Sequence, residues 1–455
     1  MEPIDAAESI GLIAAGAPAG TAESITAAIE GLVARGAFPP GFRLPTVRQL
    51  ARRLEVSPTT IAAAWQKLTE RGIIQTRGRA GSFVVESAAP RRRAWLSGQP
   101  GRYRLDLSTG TPDPTLLPDL TKVITRIGAG SPEARSYLGP VVLPELEQAI
   151  RAELGFHPEA LTIVDGAIDA LDRVMAQVVR RGASVIVEDP CFPPIAELVE
   201  EHGGRLVPVS LDGEGLEPDE LEAAGDTHPT VLVFQPRANN PAGVSVSAAR
   251  LRRISEFVAR HPDLFVIEDD SAGDISCAPE ITLSAAHPAR VAHIRSYSKS
   301  HGPDLRMAAL MGPSTVIDAV VERRRLGPVW TPRVLQRVLH HMLTDPEVVD
   351  QVRIARAEYS RRRRQLVDLL AERGVAVGGG DGINLWIPVA DERDAMVALA
   401  SVGIGVAPGS PFQRRPGSPP HVRVTVGIEV GMWDEVAEHI AAAASGSFAT
   451  VRSMV

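Results

Sequence analysis

The chain of 455 residues is poor in cysteine, lysine and aromatic residues, and it has no long apolar run. Its two cysteines, Cys191 and Cys277, are too few for a disulfide framework or a clustered zinc site, so we predict no metal centre. No segment reaches the roughly 18 uninterrupted apolar residues of a membrane helix. The N-terminus carries Glu2, Asp5 and Glu8 and does not resemble a signal peptide. We therefore expect a cytoplasmic protein with no membrane partner and with two or three domains.

The low number of lysines is the most informative feature of the composition. Of 48 basic side chains, only Lys67, Lys122 and Lys299 are lysines, and the others are arginines. Any chemistry that requires a primary amine, such as Schiff-base formation, therefore has three candidates.

The charge is unevenly distributed along the chain. The net charge is −7, yet residues 41–93 contain eleven Lys/Arg against three Glu. A basic module on an acidic body indicates nucleic-acid contact near one end, although charge alone fits a solvated surface equally well.

The pattern of residues 22–85 predicts a winged helix-turn-helix. Helices are predicted over 22–35, over 46–55 and from Pro58 to Gly72, with Ser57 as the N-cap of the last. Two short strands, 73–76 and 82–85, follow and are joined by a basic, glycine-containing turn. The last helix can enter the major groove of double-stranded DNA while arginines contact phosphates or the minor groove. The candidate DNA-binding residues are Arg43, Arg48, Ser57, Thr59, Thr60, Lys67, Arg77 and Arg79.

The run from Pro40 to Ala51 (PGFRLPTVRQLA) resembles the characteristic motif of GntR-type winged helix-turn-helix regulators. The resemblance covers about residues 20–86. Residues 87–104 are rich in Ala, Pro, Gly and Arg and are predicted to form an interdomain linker.

From Leu105 onward, short apolar runs alternate with amphipathic helices, which predicts an α/β domain with a mostly parallel sheet. The candidate buried strands are 183–188, 230–234, 264–268 and 291–294. Polar motifs follow several of these strands, at the sheet edge where ligands bind in such folds.

These motifs together match the needs of an aldehyde cofactor that carries a phosphate. Lys299 supplies an amine within Ser-Tyr-Ser-Lys, and Asp269 or Asp270 supplies an anion for a protonated ring nitrogen. Asn240, in an Asn-Pro-Ala-Gly turn, offers an amide donor, and a helix starting after Gly166 offers backbone N–H groups to a phosphate. Taken alone, that helix start is more often an ordinary cap, and Phe192 is more often a core residue.

This chain order resembles the fold-type I, class I/II pyridoxal-phosphate aminotransferases across about residues 105–445, with a small subdomain at about 340–445. The resemblance implies pyridoxal 5'-phosphate as the cofactor and Lys299 as the lysine that forms the internal aldimine. It implies Asp269 as the partner of the ring nitrogen, with Asp270 as the second choice, and Asn240 as the donor to the ring oxygen. It further implies a phosphate site and a stacking aromatic, made by Ser296, Ser298, Arg306, the backbone of Ala167 and Ile168, and Phe192.

The same resemblance assigns residues to an effector and to a second subunit. It implies that Arg423 binds a substrate or effector carboxylate, with Gly110 in the same site. It also implies that Tyr137 reaches the phosphate of a neighbouring subunit, and hence a homodimer. One departure is the replacement of the tyrosine that usually follows the strand-end aspartate by Ser271, Ala272 and Gly273, and another is Ile168 at a position that is often polar.

A GntR-type winged helix joined to such a body resembles the MocR-type regulators. The expectation is a transcriptional regulator that senses pyridoxal phosphate, a small amino compound, or both through an aldimine at Lys299 and binds a double-stranded operator. The alternatives are an active aminotransferase with an accessory DNA-binding domain, or a body that binds no cofactor and serves for dimerisation.

Overall fold

The structure is a computed structural model. It describes residues 6–17, 20–34, 37–39, 41–70, 73–76, 81–84, 103–127, 137 and 139–446. The chain divides into two compact units, Met1–Ser97 and Gly98–Val455.

The described part of the N-terminal unit contains four helices and a two-stranded antiparallel sheet. In chain order these are α1 (Ala6–Gly16), α2 (Ala22–Ala34), α3 (Val47–Leu54), α4 (Pro58–Glu70), β1 (Ile74–Thr76) and β2 (Ser82–Val84). Helices α2 to α4 and both strands confirm the predicted winged helix-turn-helix order. Helix α1 was not predicted, and it packs on α2 and α3.

Local sequence explains where the short helix α3 begins and ends. Thr46 and Gln49 form a capping box in which each side chain bonds the other residue's backbone N–H. Glu55 ends the helix in the left-handed conformation (φ 54°). The core of the unit holds Ile29, Leu50 and Trp65 together with other apolar residues, so the remaining face of α4 is free for solvent or a ligand.

The first part of the larger unit alternates strands and helices. In chain order the elements are β3 (Leu105–Asp106), α5 (Leu120–Ile127), α6 (Pro144–Glu153), β4 (Ala160–Val164), α7 (Ala167–Val178), β5 (Ser184–Asp189), α8 (Pro193–Glu201), β6 (Arg205–Asp212), β7 (Gly215–Leu216), α9 (Pro218–Gly225), β8 (Val231–Phe234), α10 (Ala248–Arg260), β9 (Phe265–Asp270), β10 (Val291–Ser296) and β11 (Ala308–Gly312).

The eight-stranded sheet has the order β4-β11-β10-β9-β8-β5-β6-β7. Strands β10, β9, β8, β5 and β6 run parallel, whereas β11 is antiparallel to both of its neighbours. Consequently β4 points the same way as β10, and the carboxyl ends of β4, β5, β8, β9 and β10 meet at one edge. Apolar residues on both faces of the sheet form the core.

The last part of the chain begins with two helices that pack on the larger sheet domain, α11 (Ser314–Arg324) on α7 and β4, and α12 (Arg333–Thr344) on α5 and α6. A smaller layer follows, with the elements α13 (Pro346–Glu372), β12 (Asn384–Pro388), α14 (Glu392–Ser401), β13 (Ile404–Gly405), β14 (Ala407–Pro408), β15 (His421–Thr425) and α15 (Trp433–Ala444). Strands β12, β15 and β14 form a three-stranded antiparallel sheet, and β13 pairs with β3. Within the ranges that the structure describes, no helix has the length and apolarity needed to span a membrane.

Candidate functional site

Lys299 lies just beyond the carboxyl end of β10, at the edge where the parallel strands end. Desolvation lowers the pKa of its ammonium group. Among nearby charges, Asp269 and Asp270 raise this pKa and Arg423 lowers it, so these four side chains share one electrostatic environment. A lowered pKa increases the share of the uncharged amine, which is the form that a carbonyl compound requires.

The two carboxylates at the end of β9 differ in their surroundings. Asp270 forms a buried ion pair with Arg237, whose Nε also donates to Asp270 Oδ1 over 3.2 Å. Asp269 is 1% exposed, its Oδ2 accepts from Gln235 Nε2 at 2.8 Å, and its Oδ1 has no hydrogen-bond partner among the described residues. Burial raises the pKa of Asp269 to about 6. Of the two, Asp269 therefore has an oxygen available for a ligand.

Asn240 is held on a turn after β8, with a cis peptide bond to Pro241. Its backbone N–H donates to Gln235 Oε1 at 2.8 Å. Its side-chain oxygen accepts from Arg423 Nη1 and from Asn384 Nδ2, each at 3.2 Å. These two donors fix which end of the amide is the oxygen, so the NH₂ group is directed away from Arg423 and Asn384.

A cradle lies at the start of α7, beyond the end of β4. Gly166 caps the helix at φ 104° without any side-chain cap. A Cβ at Gly166 would lie 2.8 Å from Arg306 Nη2, so a side chain there would displace the guanidinium group, and the positive φ would strain it. The exposed Arg306 donates to the Asp165 carbonyl at 3.2 Å. The first N–H groups of α7, at Ala167 and Ile168, thus lie beside a guanidinium group, as a phosphate site requires.

The other residues predicted for the cofactor also lie near this edge of the sheet. Ser296 is the buried last residue of β10, and its Oγ accepts from the backbone N–H of the half-buried Ser298 at 3.3 Å. Phe192 follows β5 and precedes α8, where it packs half-buried against the core of the sheet. The side chain of Ile168 adds no polar group to the cradle.

Arg423 projects from β15 and is 6% exposed. Its Nη groups donate to Asn240 and to the Ser108 carbonyl, its Nε has no partner, and the guanidinium lies 5.0 Å from the Phe412 ring centroid. No carboxylate of the described residues pairs with it, and burial lowers its pKa to about 10. Gly110 (φ 63°) passes so close that a Cβ there would lie 3.3 Å from the guanidinium carbon. Within the described part of the chain, Arg423 is thus a buried cation without a counterion.

Tyr137 does not join the other predicted residues. Its side chain is 89% exposed, and its ring lies 6.1 Å from that of Trp330. The residues on both sides of it, 128–136 and 138, lie outside the described ranges.

The described residues among those predicted to bind DNA lie on α3, at the start and along α4, and beside the strand pair. Arg48, Ser57 and Thr59 are exposed, and Ser57 Oγ accepts from the backbone N–H of Thr60 at the start of α4. Arg43 is exposed and packs over Gly81, with its Nε 3.1 Å from the position of a Cβ there.

Lys67 differs from the exposed arginines of this unit. Lys67 bonds Glu23 of α2 at 2.8 Å, so it faces the rest of the unit. Arg77 and Arg79 lie outside the described residues.

Sequence reasoning did not identify Gln235, Asn384 or Phe412. Gln235 follows directly on a predicted strand, so its polarity at that point was a usable signal. Asn384 begins β12, and no strand was predicted there. Phe412 and Arg423 come together only in the folded chain, so no local sequence pattern indicates their contact.

The residues present fit pyridoxal phosphate. The buried Asp269 Oδ1 lacks a partner, which suits a protonated ring nitrogen. At Gly166 the start of a helix lies open beside the Arg306 guanidinium, which suits a phosphate. The lowered pKa of Lys299 suits an amine that attacks an aldehyde.

Two family models match the chain. Residues 21–84 match the bacterial regulatory proteins of the gntR family, and residues 104–440 match aminotransferase class I and II. A curated relative is the vitamin B6 salvage pathway transcriptional repressor PtsJ of Salmonella typhimurium, 35% identical over 396 residues, covering 86% of this chain and 91% of PtsJ. The HTH-type transcriptional regulator TauR of Rhodobacter capsulatus is 25% identical, covering 82% and 84%.

Solved structures show the same fold for the larger unit. The α-aminoadipate aminotransferase of Thermus thermophilus superposes with a TM-score of 0.70 at 20% identity, over 85% of this chain and 99% of that chain. The kynurenine aminotransferase of Pyrococcus horikoshii gives 0.68 at 20% identity, over 74% and 90%.

Proposed function

The chain belongs to the MocR-type regulators, in which a DNA-binding domain of the gntR family precedes a domain of the aminotransferase class I and II family, and from that premise we propose that occupancy of its Lys299 site controls its affinity for an operator. It is a DNA-binding transcriptional regulator, and its cofactor is pyridoxal phosphate. The effector, the homodimer and the residue roles given below belong to the proposal.

In the N-terminal unit, α4 is the helix that enters the major groove. Thr59 at its start is exposed, as base contacts require, and Arg43 and Arg48 are exposed and suited to phosphate contacts. We leave Lys67 out of this surface because Glu23 holds its ammonium group.

In the larger unit, Lys299, Asp269 and Asn240 bind the cofactor, and the Gly166 cradle with Arg306 holds its phosphate. Pyridoxal phosphate supplies an aldehyde that captures primary amines. Lys299 would contribute its amine, Asp269 Oδ1 would accept a hydrogen bond from the protonated ring nitrogen, and the Asn240 amide would donate to the ring oxygen. Phe192 would stack on the ring.

The observation that carries the proposal is Arg423. A buried guanidinium with no carboxylate partner is costly unless a ligand supplies the anion. Arg423 lies in the electrostatic environment of Lys299 and bonds Asn240 directly. The effector class that fits is therefore a small primary amine with a carboxylate, that is, an amino acid. Lys299 and the cofactor would hold its amine, and Arg423 would bind its carboxylate.

Pyridoxal phosphate itself is the other effector that this site can take. The name of PtsJ places that relative in vitamin B6 salvage, and at 35% identity the comparison supports the cofactor as a signal for this chain as well. Either ligand acts only if it binds two states of the protein unequally.

A homodimer explains the position of Tyr137. With 89% of its side chain exposed, it is available to a second subunit. We propose that it contacts the phosphate of the partner and that two winged helices bind two half-sites.

An active aminotransferase remains the second candidate, because the larger unit retains the residues for the cofactor and a carboxylate-binding arginine together. Steady turnover of an amino acid and a 2-oxo acid above about 1 s⁻¹ would distinguish this enzyme from a regulator. Turnover that stays far below this rate, while DNA affinity responds to the same amino acid, favours the regulator.

The test measures operator binding and absorbance on one preparation of the full-length protein. Operator fragments are selected from random DNA, and their dissociation constant is measured without cofactor, with pyridoxal phosphate, and with added amino acids. We expect a visible band that borohydride fixes to Lys299 and a change in operator affinity of at least about fivefold, the usual lower end of allosteric coupling.

Two results would count against the proposal. The absence of any band would remove the cofactor site. A band combined with an operator affinity that neither cofactor nor amino acid changes would remove the coupling and leave the enzyme alternative.

A further inference from the structure

A glutamine outside the predicted set connects the residues on two sides of the proposed ring site. Gln235 follows β8 and is 1% exposed. Its Nε2 donates to Asp269 Oδ2 and to Ser271 Oγ, each at 2.8 Å, and its Oε1 accepts from the Asn240 N–H at 2.8 Å. Only an amide nitrogen can donate and only its oxygen can accept, so these partners leave one orientation for the side chain.

We propose that Gln235 is a positioning residue that keeps the Asp269 carboxylate ionised and leaves Oδ1 as its one oxygen free for the cofactor ring, while it holds Asn240 in place. This inference rests on the cofactor site of the proposed function. It concerns a residue for which no role follows from the motif or from the comparisons.

Asp269 lies in a buried environment that disfavours its charge. Burial raises the pKa of Asp269 to about 6, and the donor bond from Gln235 is the foremost influence that lowers it. The other titratable groups that face Asp269 are Asp270 on β9, His293 on β10, Lys299 beyond β10 and Glu188 on β5. Without the amide the carboxyl would hold its proton more readily, and a neutral carboxyl does not stabilise a positive ring nitrogen.

The backbone of Gln235 is also held. Its N–H donates to Glu188 Oε2 at 3.0 Å, and the same oxygen accepts from Asn239 Nδ2 at 2.8 Å. The glutamine therefore cannot withdraw from Asp269 without breaking bonds on two strands and on the turn that carries Asn240. A short network thus links the expected contacts of the ring nitrogen and the ring oxygen.

The experiment titrates the visible absorbance of the full-length protein, saturated with pyridoxal phosphate, against pH. A positive charge on the ring lowers the proton affinity of the group that titrates in the chromophore. Loss of that charge therefore raises the pH midpoint of the absorbance titration. We expect Gln235→Leu to raise the midpoint by about one pH unit, a tenfold change in proton affinity. Asp269→Asn should shift it further in the same direction.

Two variants separate positioning from packing. Gln235→Glu keeps an acceptor for the Asn240 N–H but replaces the donor to Asp269 with a second carboxyl group, so its shift should equal or exceed that of Gln235→Leu. Gln336→Leu is the matched control, because Gln336 is a 0% exposed amide that bonds Val141, Thr331 and Leu143 and none of the proposed ring contacts. It should lower the melting temperature and leave the midpoint unchanged.

The double variant tests whether Gln235 changes the midpoint through Asp269. If Gln235 acts through Asp269, Gln235→Leu combined with Asp269→Asn has the midpoint of Asp269→Asn alone. A midpoint in Gln235→Leu and Gln235→Glu equal to that of the wild type, or full additivity in the double variant, would overturn the inference while the cofactor site stands. A wild type without a visible band would overturn both.

Discussion

The proposed effector pocket and the proposed DNA-binding surface place their functional side chains in opposite environments. Asp269 and Arg423 are 1% and 6% exposed, and each retains a polar atom without a protein partner. On the N-terminal unit, Arg48 and Thr59 are exposed, and the helices beneath them have a conventional apolar core.

This difference predicts where function costs stability. A polar group that is buried and only partly bonded destabilises the folded protein until a ligand binds it, whereas an exposed arginine costs almost nothing. Substitutions in the pocket should therefore change ligand binding with little or no loss of stability. Substitutions on the DNA surface should change operator affinity alone.

The largest effect is expected for Lys299→Ala, which should abolish the function of the effector pocket and leave that of the DNA-binding surface intact. With no amine on the strand end, the borohydride-stable adduct should be absent, and added amino acids should no longer change operator affinity. Operator affinity without cofactor should stay within about twofold of the wild type. Lys122→Ala is the matched control, since it removes a lysine elsewhere and should retain the adduct. An adduct of normal yield in Lys299→Ala would contradict the assignment.

A pair of buried arginines gives the next largest contrast. Arg362 is 3% exposed and bonds Asp113 at 2.9 Å as well as Glu358 and Glu429, so Arg362→Met leaves a buried carboxylate unpaired. We expect it to lower the free energy of unfolding by about 3–5 kcal/mol. Arg423→Met leaves no carboxylate behind and should cost less than about 1.5 kcal/mol, while it abolishes the response to amino acids.

Chemical unfolding measures the stability of the two variants, and operator binding measures their response to amino acids. Equal destabilisation by Arg362→Met and Arg423→Met would mean that Arg423 serves the fold. A normal amino-acid response in Arg423→Met would remove it from the effector site.

The DNA surface offers a smaller, electrostatic test. Arg48→Ala should reduce the slope of log affinity against log salt concentration by about one and weaken binding to specific and random DNA alike. Lys67→Ala should leave that slope unchanged, because the ammonium is held by Glu23 on the side of α4 that faces α2. Equal slopes for the two variants would place Lys67 on the DNA surface, as the sequence alone had predicted.

The strands and the motifs could be predicted from the sequence. Which of two neighbouring residues takes a given role could not. The sequence predicts strand 264–268, and β9 ends two residues later, at Asp270. Adjacent strand residues point to opposite faces, so Asp269 and Asp270 cannot both face the pocket. Only the position of Arg237, 33 residues away, shows which carboxylate is already paired.

Gln235 illustrates the second limit. Its partners lie 5, 34 and 36 residues along the chain, and no local pattern brings them together. The motif around Lys299 was predictable because one short segment carries its chemistry. The glutamine network was not, because it depends on the order of β5, β8 and β9 in the sheet. Helix α1 was missed for a related reason, since its apolar residues find their partners on α2 and α3.

The last prediction concerns Glu188, which lies behind the pocket and shows how much a buried carboxyl group costs the stability of the fold. Burial raises the pKa of Glu188 to about 8, against an ordinary value of 4.5. Between these values the folded state retains a proton that the unfolded state has lost, so stability falls as pH rises through that window and levels off above it. Glu188→Gln keeps an oxygen acceptor for Gln235 and Asn239 but cannot ionise. We expect the melting temperature of wild type relative to Glu188→Gln to decline from pH 5 to pH 8.

Glu322→Gln is the control for this titration, because Glu322 is 65% exposed and bonds only the exposed Arg325. Its difference from the wild type should not vary over the same pH range. If the wild type and Glu188→Gln showed parallel profiles, Glu188 would be ionised in the fold. The carboxylate behind Gln235 would then add its charge to that of Asp269, which would make the donor bond from Gln235 more important for the ring site.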